Sequence, residues 1–136
     1  LETNSVPVLV HGADEFPSFY SRSSGYAAPA RVDSAEEVAA AMVAARRLGL
    51  AAGLVVANPV PEADEIPAEE IAAVIDQGLG DLGALGIGGK EVTPYLLRRL
   101  VELTDGASLV TNIALVRNNA RFGAAIAVAH ARLRTG

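Results

Sequence analysis

The sequence predicts an α/β fold, an α/β/α layering of helices on a mainly parallel sheet of which this chain supplies only part. Three observations carry that reading. Two short apolar runs, Val6–Val10 and Ala52–Ala57, are bounded by turn residues, as strands buried on both faces are. Between them sits an amphipathic stretch with a start signal and a stop signal, so the order is strand, helix, strand, which joins two parallel strands through a crossover. The remainder reads as helix, and a composition 51% hydrophobic but only 4% aromatic requires a core of Ala, Val, Leu and Ile carried mainly by helices.

Taken in order, Val6–Val10 begins next to Pro7, which lacks a donor and so belongs at a strand start or edge. Residues 11–33 break the pattern and form a loop longer than most connections in a compact domain. This loop holds Phe16, Phe19, Tyr20 and Tyr26, leaving only Tyr95 and Phe122 as aromatics elsewhere in the 136 residues. With Asp14, Glu15, Arg22 and four serines beside them, the composition suits recognition. Ser34 and Glu37 then form a capping box, with the hydroxyl accepting from the Glu37 amide and the carboxylate reaching back to the Ser34 amide. The helix runs from Ala35 to about Leu48, with Val38, Ala41, Met42, Ala45 and Leu48 as its apolar stripe and Gly49 as its left-handed stop. Ala52–Ala57 is the second strand, stopped by Asn58-Pro59-Val60-Pro61. Pro67 opens a helix over 68–85 after an acidic lead that suits a helix N-terminus, with Ile71, Val74, Ile75, Leu79 and Leu82 on one face. Gly78, Gly80 and Gly83 each weaken it by roughly 0.5–1 kcal/mol relative to Ala. Thr93-Pro94 begins a further helix that ends at Asp105-Gly106, and a last helix covers about 108–133.

Composition excludes several function classes. A net charge of -5 with scattered arginines gives no basic patch, so no nucleic-acid partner is expected. With no cysteine, disulfides and thiolate chemistry are impossible. No apolar stretch reaches the roughly 20 residues of a membrane span, and no secretory signal is readable, so the expectation is a soluble, cytoplasmic protein without a membrane partner. Because the chain opens on Leu1, and its first five residues read as the tail of a helix and turn, it is expected to be the later part of something longer.

Four constellations bear on chemistry. Gly86-Ile87-Gly88-Gly89-Lys90 resembles a phosphate loop but lacks a preceding strand and has Glu91 where Ser or Thr belongs, which favours a turn between helices. Lys90 is the only lysine. His11, at the carboxyl end of the first strand, is where open α/β sheets place ligand contacts, though a turn histidine gives the same pattern. Asp14 and Glu15 could position a hydroxyl or a cation, or be a solvated pair. On the last helix Asn112, Val116, Asn119 and Gly123 fall on one stripe, and an amide there needs a polar partner, either a neighbouring loop's backbone or a ligand with a carbonyl and a ring N–H. His11 and His130 lie far apart with no carboxylate at a diagnostic spacing, so no metal site is expected from this chain alone.

Five collinear blocks carry a resemblance: residues 14–25 (Asp14-Glu15-Phe16-Pro17-Ser18-Phe19-Tyr20-Ser21-Arg22-Ser23-Ser24-Gly25), Arg31-Val32-Asp33-Ser34, Asn58-Pro59-Val60-Pro61-Glu62, Gly89-Lys90-Glu91-Val92-Thr93-Pro94 and residues 112–121, which begin Asn112-Ile113-Ala114-Leu115. The chain resembles the carboxy-terminal half of the pseudouridine-5'-phosphate glycosidase family, also called indigoidine synthase A-like, making residues 1–136 part of one such domain. The resemblance implies reversible cleavage of the carbon–carbon glycosidic bond of pseudouridine 5'-phosphate to uracil and ribose 5-phosphate, by a lysine Schiff base with a glutamate proton donor and an Mn²⁺ ion. It implies that those catalytic and metal-binding residues precede this chain, so that no catalytic residue or metal ligand is assigned here and the piece alone is inactive. It also implies a homotrimer for the whole enzyme. By the same resemblance Asn112 faces the uracil, and the loop's position after a strand makes Tyr20, Arg22 and Ser23 neighbours of the substrate pocket. Two other readings stay open: a stand-alone α/β module that binds a small ligand or partner without catalysis, and a separate sugar-phosphate enzyme using Lys90.

Overall fold

The computed structural model describes residues 6–135, so the reading of the first five residues as a helix tail lies outside the described part. The α/β expectation holds. Strand β1 (Val8–His11) is central in a three-stranded parallel sheet of order β2-β1-β3, flanked by β2 (Arg31–Val32) and β3 (Val55–Ala57). Val10 sits opposite Arg31 on one side and Ala57 on the other. Since both pairings are parallel, the strands end on one edge, with His11, Asp33 and Asn58 at or just beyond their ends.

The sheet therefore has three strands where the sequence reading found two. β2 is only two residues long and begins with an exposed Arg, too short for alternation to register. Its identity comes from tertiary pairing, with Val10 N–H donating to the Ala30 carbonyl and Gly12 N–H to that of Val32, both at 2.8 Å. Pro7 lies just ahead of β1, where its carbonyl accepts from Val55 N–H at 3.0 Å.

Helix α1 (Ala35–Arg47) starts at Ser34, whose hydroxyl accepts from the Glu37 amide at 3.2 Å. The reciprocal half of the box shifts by one residue, since the Glu37 carboxylate takes the Asp33 amide at 2.7 Å. Beyond Leu48, Gly49 has φ +72°, with Gly49 N–H donating to Arg46 and Leu50 N–H to Ala45, a Schellman ending. Of the expected stripe only Val38 is buried, with Ala41 and Ala45 half-buried. Ala35, Val38 and Ala39 are inside, while Met42 and Leu48 are exposed.

Helix α2 (Ala68–Leu85) has Pro67 as its flanking residue and ends on left-handed Gly86. It faces inward through Ile71, Val74 and Ile75, and Leu79 is exposed. Gly78 has a packing reason: a Cβ there would meet Leu96 Cδ2 at 3.3 Å, so its absence lets the next helix approach. The segment 86–90 is the expected turn. Helix α3 (Val92–Leu103) begins earlier than the Thr93-Pro94 reading, led in by a 3-10 turn at Gly89–Glu91, with Pro94 still inside the first turn, where its missing N–H costs nothing.

Helix α4 (Ala107–Thr135) is 29 residues long, about 44 Å at 1.5 Å per residue. It packs mainly along α1, and α2 pairs with α3. Two apolar clusters result: Tyr20, Ile66, Ile71 and Leu100 in one, and Ala35, Ala39 and Ala129 with Phe122 and Ile126 in the other.

Candidate functional site

The carboxyl edge of the sheet gathers side chains from three separate elements. His11 ends β1, Asn58 follows β3 directly, and the middle of α4 brings Asn118, Asn119 and Phe122 against them. Asn58 Nδ2 donates to Asn119 Oδ1 at 3.0 Å, and its Oδ1 lies 2.8 Å from His11 Nδ1. The His11 ring stacks on Phe122 with centroids 3.7 Å apart and planes 12° from parallel. Asn118 Nδ2 donates to the Pro59 carbonyl at 3.0 Å. Asn119 of the expected stripe thus meets the chain that leaves β3 through the Asn58 side chain, while Asn118, beside the stripe, is the amide that a loop carbonyl satisfies.

The aromatic loop folds back on itself rather than wandering. Phe16 N–H donates to Tyr26 and Ala28 N–H to Asp14, while Ser18 pairs with Ser21. Two carboxylates fasten it. Glu15 accepts from the Ser23 hydroxyl and from the Ser24 and Gly25 amides, bonds that hold its carboxyl below the ordinary value, the Ser23 bond foremost and the Gly25 bond next. Glu65 Oε1, from the lead into α2, accepts from the Ser21 hydroxyl at 3.1 Å and the Arg22 amide at 2.7 Å. The Arg22 guanidinium donates to the Val60 carbonyl at 2.7 Å. At the loop's base Arg31 bridges Asp14 and Asp33, each at 2.8 Å.

The four residues expected around a substrate take different places. Asn112 lies on α4 partly buried, seven residues or two turns before Asn119, and its amide has no partner among the described residues. No fully buried side-chain nitrogen or oxygen among the described residues lacks a hydrogen bond, so that amide is not wholly enclosed. Tyr20 is buried with Ile66, Ile71 and Leu100, and desolvation raises its phenol above the ordinary value. Arg22 and Ser23 hold the loop's shape through Val60 and Glu15. The structure brings Tyr20, Arg22 and Ser23 together in one loop but does not join them to Asn112 by any bond. Lys90 is exposed on the turn before α3. On another face of α4, a hollow of about 410 Å³ runs between Pro61 and Asp64 on one side and Val110, Ile113, Arg117 and Arg121 on the other, and Asn112 does not line it.

Asn58, Asn118 and Phe122 were not singled out as site residues from the sequence. The signal existed for Asn58, because an Asn directly after a buried strand occupies the same edge as His11. Among the described residues no three His, Asp or Glu side chains are close enough together to hold a metal ion. No described helix is long and apolar enough to cross a membrane.

Comparison with known proteins decides the family. The model of the family described as indigoidine synthase A like protein matches residues 1–129. The chain belongs to the indigoidine synthase A-like family. A relative named pseudouridine-5'-phosphate glycosidase, from a Nocardioides species, is 68% identical over 134 residues, 98% of this chain and 44% of that protein. The crystal structure of an indigoidine synthase A-like protein from Thermotoga maritima superposes with a TM-score of 0.82 at 40% identity, over 94% of this chain and 42% of that one. A prealnumycin C-glycosynthase, solved with ribulose 5-phosphate, shares the fold with a TM-score of 0.72 at 24% identity, over 97% of this chain and 45% of its own. The chain thus spans under half the length of each of these proteins.

Proposed function

We propose that this chain is the carboxy-terminal portion of a pseudouridine-5'-phosphate glycosidase, which reversibly splits the carbon–carbon bond between uracil and ribose 5-phosphate. The observation that carries the proposal is the 68% identity to the Nocardioides glycosidase across 98% of this chain. A carbon–carbon glycosidic bond has no basic leaving atom, so its cleavage needs an electron sink, and an iminium formed by a lysine supplies one. In this reading that lysine and the Mn²⁺ ligands lie in the upstream length that the relatives possess.

The residues here bind and shape. The amide of Asn112 offers a donor and an acceptor to the carbonyl and N–H edge of uracil. Tyr20, Arg22 and Ser23 set the loop that walls the pocket, Tyr20 through its core anchorage and the other two through Val60 and Glu15. Lys90, exposed in the turn before α3, is not the nucleophile in this reading. The whole enzyme is a homotrimer in this proposal, acting in the cytoplasm.

Borohydride reduction in the presence of ribose 5-phosphate tests the assignment. A version extended upstream to the relatives' length should be trapped as a stable covalent adduct detectable by mass, and this chain alone should not. An adduct mapped to Lys90 would refute it.

A further inference from the structure

Of the groups at the sheet's carboxyl edge, His11 has a property that the proposed function leaves unused. Asn58 gives its Nδ2 hydrogen to Asn119 Oδ1. The atom it turns to His11 is consequently its carbonyl Oδ1, which only accepts, so His11 Nδ1 carries the proton in the 2.8 Å contact. In the neutral ring the lone pair is then on Nε2. This nitrogen has no partner among the described residues, and since none of their fully buried side-chain polar atoms lacks a bond, it is open to solvent. Phe122 holds the ring from beneath with the planes 12° from parallel, fixing its tilt as the amide pair fixes its rotation. Three elements therefore converge on one outward acceptor at the edge where open α/β sheets meet their ligands.

We propose that His11 is a substrate-contacting acceptor, whose Nε2 takes an O–H or N–H donor of the ligand, with Asn58 and Asn119 as positioning residues that set its tautomer. This rests on the proposed substrate. Its donors are the ribose hydroxyls and the uracil N–H groups, and the measurement separates the two.

The experiment is nitrogen-15 NMR of His11 in the upstream-extended protein, with the ring neutral. Without ligand the ring should be the Nδ1–H tautomer, and Asn58→Ala should scramble it; a wild-type ring protonated on Nε2 overturns the proposal. On titration with pseudouridine 5'-phosphate the Nε2 resonance should move, and repeating with uracil and with ribose 5-phosphate separately identifies the half that carries the donor. His11→Phe keeps the stacking and removes the acceptor, and should weaken binding roughly 3- to 10-fold, the size of one hydrogen bond. His11→Gln, which restores an acceptor, should recover part of that loss. Binding of pseudouridine 5'-phosphate without movement of Nε2, or with equal affinity in a folded His11→Phe protein, sinks the role of His11 alone. Absence of any binding by the wild-type protein sinks the functional reading and this inference with it.

Discussion

The loop over residues 12–30 and the long helix α4 handle their apolar and polar groups in opposite ways. The loop is fastened from within and without: Glu15 and Glu65 bind its amides and hydroxyls, and Tyr20 roots it among Ile66, Ile71 and Leu100. It even holds Phe19 in the left-handed region at φ 57°, a conformation that persists only where the surroundings over-determine it. Helix α4 is bound on one side only. Its inner row of Ser108, Thr111, Leu115 and Ala129 is buried, yet Val110 and Val116 remain 62% and 58% exposed. An irregular segment has its polar groups met when carboxylates bind its backbone and one aromatic is rooted in a core, whereas a regular helix with apolar residues around its circumference needs neighbours on each side.

The strongest blow to this contrast is to the loop's footing. Leu100→Ala removes a side chain that packs with Tyr20, and should cost about 2–5 kcal/mol in urea unfolding, with the loop's amide protection falling in step. A loss under 1 kcal/mol means that the loop does not rest on this cluster.

Acid tests the carboxylate fastening without mutation. Glu15 titrates below its ordinary value of 4.5 when folded, so its ionised form favours the closed loop. That contribution is complete above the unfolded carboxyl value and is lost as the pH falls through the lowered folded one. Hydrogen exchange at the Ser24 and Gly25 amides should therefore stay protected at pH 6 and open on acidification below roughly pH 4.5. In Glu15→Gln those two amides should exchange faster at neutral pH and lose most of this pH dependence.

The smallest effect on folding belongs to the helix's outer side. Val116→Glu should change the stability of this chain by no more than about 0.5 kcal/mol, because the side chain touches little. Sedimentation should at the same time show less self-association. A clear destabilisation would mean that the outer row is already partnered.

Much of this was readable in the sequence wherever a local signal and the tertiary role coincide. Ser34 and Gly49 bracket α1 because capping and the left-handed stop are chemistry of single residues, and Asp105-Gly106 closes α3 for the same reason. β2 escaped because two residues carry no period, and the α1 stripe misled because Met42 and Leu48 are apolar yet stay 36% and 76% exposed. At the site, the place of His11 at a strand's carboxyl end was legible. The role of Asn58 was hidden, because an Asn before Pro59 reads equally well as a strand's stop. Tyr20 and Phe19 are neighbours of the same chemical kind, and only the three-dimensional contacts tell that one is buried and the other exposed.

The central claim is that this chain supplies walls and base-facing contacts to an active centre whose amine comes from elsewhere. Uracil release from pseudouridine 5'-phosphate with Mn²⁺, measured side by side for this chain and for the upstream-extended version, tests it most directly. The account predicts no release above background for the chain and steady turnover for the longer protein. Steady release by the 136-residue chain unaided would contradict it.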